Sequence, residues 1–355
     1  MGRALASEFG DIDYIGDLDR EHRSRALSRV RGALTAETRR HRVDRVPRDL
    51  RTYARQVERR LDPRDDLVIT PSTLPVAYLD CTQPIVIWAD ATFASMLDFY
   101  PEFMELGRVQ VRNGHRVERD ALERCSLAVY SSEWAARSAV RDYGIDKAKV
   151  KVIPFGANLE SGEDRDAIKA LVAAREGCRL LFLGVDWIRK GGPLAVQITE
   201  SLRARGIDAH LDVVGCNPDL DPKPEYVTIH GYVRPGPGGT PDVIERLFRQ
   251  ARFLVVPTRA ECFGIVFCEA SSFGVPSVTT ATGGVPSAVR DDVNGYALSP
   301  DAVADHYADR IQPLIDDHTA YRALALSAYD EFRSRLNWRS ACRALRGSVE
   351  SLAIS

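Results

Sequence analysis

Two stretches of the chain set charge beside glycine in a way that could hold an anion. The first reads Leu183-Gly184-Val185-Asp186-Trp187-Ile188-Arg189-Lys190-Gly191-Gly192 and leads into a helix from Pro193. A glycine turn at a strand's carboxyl end, two cations and a helix N-terminus suit an anion. Backbone N–H groups and the helix dipole point outward there, and Arg189 and Lys190 add full charges. Alone this is a weak signal, because basic βα loops are common and usually only solvated. The second stretch runs from Leu254 through Pro257, Glu261, Cys262, Phe263, Gly264 and Ile265 to Glu269 and Ala270. Its strand ends at Pro257, where open α/β sheets bind ligands, and Gly264 lets the backbone approach a ligand at the next helix's start. Glu269 falls about one turn into that helix among Val266, Phe267, Cys268 and Ala270. Buried there, a carboxylate needs hydroxyl donors or a cation, and vicinal ribose hydroxyls suit it. Exposed, it would only stabilise the helix dipole. Further on, Gly283-Gly284 makes a second close-approach turn before a helix, and Asn294-Gly295 a tight turn into a short strand.

Elements to position these residues are written along most of the chain. Short apolar runs read as strands at Leu67–Thr70, Ile85–Trp88, Leu127–Tyr130, Val150–Ile153, Leu180–Leu183, Leu211–Val214, Phe253–Val256 and Ser277–Thr279. Several lack alternation, the habit of parallel strands covered on both faces. Helical stretches fall between them, among them Ser132–Tyr143, Pro193–Arg205, Val243–Gln250 and Val266–Phe273. Strand and helix alternating in this way predict an α/β fold of doubly wound parallel sheets. The pattern breaks around residues 156–178, which divides the chain at 1–158 and 159–335, with 336–355 as a terminal helix. Pro235–Thr240 is a surface loop on composition alone, without the Lys-Ser/Thr ending of a phosphate-cradling loop.

Composition excludes several classes. The chain has 355 residues, 45% apolar and 28% charged, which fits a globular protein of two domains. Lys+Arg 48 against Asp+Glu 50 argues against a dedicated nucleic-acid binder. Seven cysteines without a C-x-x-C spacing make a disulfide scaffold or structural zinc site unlikely and favour a cytoplasmic setting. No apolar run approaches the ~20 residues that span a bilayer. Charge is nevertheless uneven. Asp19–Arg60 carries fourteen arginines and six carboxylates, over which two helices fit, Arg20–Gly32 and Pro47–Leu61. Arg20–Arg60 could touch an anionic membrane surface peripherally, or simply be a solvated face in an arginine-rich chain.

The order R-K-G-G, then P-T-x-x-E-x-F-G-x-x-x-x-E-A, then G-G-V-P, then N-G closely resembles the retaining glycosyltransferases of family 4, which have the GT-B fold. The joint spacing of four motifs is far more specific than any one of them, and it covers the C-terminal half. The N-terminal half matches more loosely. The resemblance implies two Rossmann-like domains facing across a cleft, with a C-terminal helix crossing back to the first. The second domain would hold a UDP-, GDP- or ADP-sugar and the first would present a sugar or lipid-linked acceptor. Glu269 would bind the donor ribose. Phe263, Gly264 and Ile265 would offer backbone amides to the sugar and diphosphate, Glu261 would face the transferred sugar, and Lys190 would bind phosphate. His230-Gly231-Tyr232 resembles the loop that holds the nucleobase, largely through main-chain contacts. Many relatives carry an arginine directly after the glycine matching Gly184. Here Val185 stands in that place, and Arg189 beside the lysine is the substitute.

On the acceptor side, Pro84–Phe93 is a strand ending in a carboxylate, Ala89-Asp90 where relatives often have His-Asp. Asp90 is expected at the reacting centre, or else as a helix N-cap. Ser131-Ser132-Glu133-Trp134 resembles the family's serine turn, although Ser132 serves equally as an N-cap. Trp338, opening the terminal helix, is read as packing. The resemblance implies same-face substitution in which the leaving diphosphate helps deprotonate the acceptor, so the protein supplies positioning and positive charge. No cofactor is predicted. No metal is predicted either, the Asp-x-Asp motif of the other glycosyltransferase architecture not being read in the chain.

The N-terminus reads as helix from Met1 to Glu8, a stop at Gly10 and a strand over Asp11–Ile15. Relatives place a strand and a glycine loop before that helix, so the natural chain is expected to start some tens of residues earlier. Two other classes compete: a GT-B-like protein that binds a nucleotide-sugar without catalysis, and a sugar-nucleotide epimerase. A dehydrogenase is disfavoured because no G-x-G-x-x-G lies between strand and helix.

Overall fold

The apolar runs pair as parallel strands in two sheets of a computed structural model that describes residues 1–18, 45–233 and 241–351. The chain divides into two compact units, one of Leu5–Ile153 with Leu345–Ser355 and one of Met1–Ala4 with Pro154–Ala344. Both are Rossmann-like α/β units, the class expected from the alternation of elements.

In the N-terminal unit four strands lie side by side in chain order: β1 (Val68–Thr70), β2 (Ile85–Ala89), β3 (Leu127–Tyr130) and β4 (Val150–Val152). Every residue of β2 and β3 is buried, as continuous apolar strands require when helices cover both faces. After α1 (Gly2–Phe9) the next described helix is α2 (Pro47–Glu58), which starts with Pro at its first turn and carries its apolar residues at Leu50, Ala54 and Val57. That i, i+4, i+7 stripe is buried, while Arg48, Arg51 and Arg55 point outward. A short α3 (Phe93–Met96), a long α4 (Arg108–Arg124) and α5 (Glu133–Tyr143) complete the unit around the sheet.

The expected strand Asp11–Ile15 does not form; its backbone is irregular, and Ile15 and the following Leu18 lean on the core. Two aspartates in five residues disfavour a strand, and Gly10 and Gly16 flank it closely. The expected helix Arg20–Gly32 and the loop Pro235–Thr240 lie outside the described residues.

The C-terminal unit opens with α6 (Arg165–Ala173) and continues β5 (Cys178–Leu183), α7 (Gly192–Ala204), β6 (Ala209–Val214), β7 (Val227–Gly231), α8 (Pro241–Gln250) and β8 (Phe253–Val256). Then follow α9 (Ile265–Ser272), β9 (Ser277–Thr280), α10 (Val285–Ala288), β10 (Gly295–Leu298), α11 (Ala304–Asp316), α12 (His318–Ser334) and α13 (Trp338–Glu350), whose residues from Leu345 on belong to the N-terminal unit. Its sheet runs β10-β9-β8-β5-β6-β7, all parallel. Strand order therefore reverses between β5 and β8. The core is dense there: all of β8 and most of β5 and α9 are buried, and burying each such Val, Leu or Phe is worth about 1.5–3 kcal/mol. Arg175 braces the layer from below, its guanidinium donating to the carbonyls of Gly274 (2.6 Å), Phe273 (2.6 Å) and Phe248 (3.3 Å) at helix ends. All seven cysteines are free thiols.

Candidate active site

Reversal of strand order opens a crevice at the carboxyl ends of β5 and β8, because the chains leaving them depart in opposite directions. Two loops meet there. The β5 loop closes at Gly191, which is left-handed (φ +78°) and so close to the second loop that a Cβ would lie 1.9 Å from the Pro257 carbonyl oxygen. Only glycine fits that position. Main-chain contacts stitch the loops together: Arg259 N–H donates to the Arg189 carbonyl at 2.8 Å, and Thr258 Oγ1 donates to the same oxygen at 3.2 Å.

Their side chains form one charged cluster. The Lys190 ammonium donates to the Glu261 carboxylate, and both side chains are largely buried, at 13% and 12% exposure. Arg189 Nη1 donates to the Ala260 carbonyl at 2.8 Å and lies 3.8 Å from Glu261 Oε2, while its Nε is 3.6 Å from Asp186. Two cations and two carboxylates thus share the crevice. Glu261 serves as Lys190's counter-ion, so the cluster is near balance rather than strongly positive. The third loop, after β9, joins through Gly284 N–H, which donates to the Glu261 carbonyl at 3.0 Å.

Helix α9 begins at this cluster with Gly264 as its N-cap, which aims first-turn amides into the crevice. Phe263 is buried and packs edge-to-face on Phe155, so only its main chain is available to a ligand. Ile265 is half-buried. Glu269, one turn on, is also half-buried, and burial pushes its carboxyl up to about 7 while main-chain N–H groups of Leu159 and Asn158 pull the other way. An ionised carboxylate has about four acceptor positions, so two donors leave room for two hydroxyls. Asn158 is itself held, its Oδ1 accepting from Trp338 Nε1 at 3.0 Å. These two amides could not be found from the sequence, because they lie more than a hundred residues away with no motif of their own. Trp338 packs on Phe155 with ring centroids 5.4 Å apart.

The remaining candidates sit elsewhere. Tyr232 follows β7 and is 61% exposed, and Val185, within the β5 loop, is 66% exposed. Asp90, in the N-terminal unit, is exposed directly after β2. It is not a helix cap. Thr92 takes that place, its side chain accepting from Ser95 N–H at 3.1 Å in a capping box. Ser132 does cap α5, accepting from Ala135 N–H at 3.3 Å. Asp-x-Asp triplets do occur in the sequence, at residues 11–13, 17–19, 164–166 and 219–221. Among the described residues no group of three or more His, Cys, Asp or Glu side chains could hold a metal ion. Among them too, no helix is long and apolar enough to cross a membrane.

A pair of Rossmann-like units with a charged crevice at a switch point is the architecture of GT-B glycosyltransferases, and comparison with known proteins agrees on the fold. Sucrose-phosphate synthase from Thermosynechococcus elongatus superimposes with a TM-score of 0.65 at 19% identity, over 87% of this chain and 79% of that one. HepE of Anabaena in complex with UDP and glucose gives 0.60 at 18% identity, over 85% and 81%. In sequence, residues 177–317 match the family model described as Glycosyl transferases group 1. The chain is 31% identical over 201 residues to D-inositol 3-phosphate glycosyltransferase 1 of Catenulispora acidiphila, covering 52% of this chain and 48% of the relative. It is 30% identical over 243 residues to the D-inositol 3-phosphate glycosyltransferase of Xylanimonas cellulosilytica, covering 64% and 57%. The chain thus spans about half the length of the curated relatives it matches.

Proposed function

We propose that the protein is a glycosyltransferase that moves a hexose-type sugar from a nucleotide-sugar to a glycan, glycolipid or small-molecule acceptor, with retention of anomeric configuration. The observation that carries this reading is the crevice between β5 and β8. It combines Lys190 and Arg189, the N-terminus of α9 and the half-buried Glu269 within the segment that matches group 1 glycosyl transferases. Lys190 and Arg189 would hold the diphosphate, Arg189 standing in for the arginine that Val185 displaces. Main-chain amides at Phe263, Gly264 and Ile265 would serve the diphosphate and sugar, and Glu269 would accept from the ribose hydroxyls. UDP is the nucleotide bound by HepE, and UDP-, GDP- and ADP-sugars are the donors to try.

Chemically, the site offers stabilisation of a leaving diphosphate by fixed positive groups, worth several kcal/mol in a water-poor crevice. On donor binding Lys190 would turn from Glu261 to phosphate, leaving Glu261 free to face the transferred sugar. Asp90 would act on the acceptor side. The scheme calls on no metal and no cofactor. Outward arginines on α2 (Arg48, Arg51, Arg55) would suit peripheral contact with anionic lipid, compatible with cell-envelope glycan or glycolipid synthesis at the inner membrane face.

Nucleotide release is the test, measured with each donor alone and then with glycan and lipid acceptors. Acceptor-dependent release with the α-anomer formed from an α-linked donor supports the proposal. Donor binding with no turnover would instead favour a binding module, and donor conversion without acceptor an epimerase.

A further inference from the structure

The edge of the C-terminal sheet contains a buried charge that the scheme above does not use. Between β6 and β7 the register slips: Val213 pairs with Ile229, but Val214 pairs with Gly231, so His230 is the extra residue of a bulge. Bulges beside active sites re-aim the chain that leaves the strand. This one is tied down across three strands. His230 Nε2 donates to Asp212 Oδ1 at 2.7 Å, and Arg179 Nη2 donates to Asp212 Oδ2 at 2.7 Å. The Asp212 side chain is only 5% exposed, in a strand whose other residues, His210 apart, are apolar. A carboxylate there costs solvation that a valine would not, and it is tolerated because both oxygens are engaged. One step earlier His210 and Thr228 pair across the same strands at 2.9 Å, without a bulge and without a carboxylate.

Past the bulge, Gly215 N–H donates to the Gly231 carbonyl at 2.8 Å, and Gly231 is left-handed (φ +71°). The chain then turns out to the exposed Tyr232. We propose that Asp212, with Arg179 behind it, positions His230 and so fixes the main chain of Gly231 and Tyr232 for discrimination among nucleobases. This rests on the donor-binding reading above. Because a carboxylate only accepts, the bond also places a proton on Nε2. The three residues are positioning groups, since none needs to touch the sugar or the diphosphate.

Titrations of UDP, GDP, ADP and inorganic pyrophosphate against the full chain separate the possibilities. Wild type should prefer one nucleotide. Asp212→Asn and His230→Ala should weaken that nucleotide by about tenfold or more and shrink its preference over the others, with pyrophosphate affinity unchanged within about twofold. His230→Gln, whose amide can still donate to Asp212, should keep the preference. His230 is the more accessible of the pair, so its variants keep the test alive should Asp212→Asn fail to fold. An unchanged preference in folded His230→Ala, or a parallel loss of pyrophosphate, overturns the inference and leaves donor binding intact. Wild type binding none of the nucleotides overturns the donor reading, and the inference with it.

Discussion

The two units are built from the same strand-and-helix alphabet, yet among the described residues only one of them has a crevice that its own topology creates. In the C-terminal unit the strand order turns back between β5 and β8, and the loops leaving those strands converge on Lys190, Arg189 and Glu261. In the N-terminal unit the described strands lie in chain order, β1 to β4, with no reversal among them. One of its polar clusters lies under the surface instead. Glu118 is buried, accepts from Thr73 Oγ1 at 2.8 Å, and has its carboxyl pushed up by burial, with Arg45 opposing. Arg45 in turn lies over the Phe93 ring at 4.7 Å. That arrangement holds helices together. The switch point, by contrast, brings charges from distant loops to a place open to a ligand. In the proposed reaction donor binding falls at the switch point and acceptor chemistry in the N-terminal unit.

The largest effect should come from Lys190→Met. It removes the phosphate cation and strands Glu261 in a crevice where it is 12% exposed, so kcat/KM should fall by about 10²–10³. Steady-state kinetics with varied donor would check this, and a variant within threefold of wild type would break the contrast between the units.

Glu269→Gln should weaken donor affinity by about 10–100-fold while making the protein more stable at alkaline pH. Burial raises this carboxyl from 4.5 to about 7, so the native state binds the proton more tightly than the unfolded chain does. Stability is therefore lost as pH rises from about 4.5 through 7, by roughly 3 kcal/mol at most, and the loss is complete above that range. Gln removes this dependence. Urea unfolding at pH 5 and pH 8 should show a smaller difference between the two for the variant than for wild type. Equal differences would show that Glu269 titrates normally.

The smallest effect on binding belongs to the other unit. Asp90→Asn should leave donor affinity within about twofold and lower kcat by about 10–100-fold, if acceptor chemistry lies there. Calorimetric donor titration beside a turnover assay would resolve the split, and a change in donor affinity would blur the division of labour.

Much of the C-terminal unit was legible because its signals are local. Glycine turns, apolar strands and paired charges occur within ten or so residues of one another, and their order located the crevice. What escaped depends on distance in the chain. His230-Gly231-Tyr232 reads as a loop and the strand Val227–Gly231 goes unread, and the bond from His230 to Asp212 crosses a bulge that no spacing reveals. The amides that meet Glu269 come from Asn158 and Leu159, and the Lys190–Glu261 pair joins residues 71 positions apart. In the N-terminal unit the sequence named Asp90 correctly as the end of a strand but not its neighbour Thr92 as the cap, because either residue type can cap a helix. Asp11–Ile15 reads as a strand, but its aspartates Asp11 and Asp13 disfavour one and the backbone there is irregular.

Hydrogen exchange of the full chain with and without the preferred nucleotide-sugar tests the central claim most directly. Slowed exchange should centre on amides of residues 184–192 and 257–269 in the C-terminal unit. Protection confined to residues 68–150, or no protection by any UDP-, GDP- or ADP-sugar at saturating concentration, would contradict it.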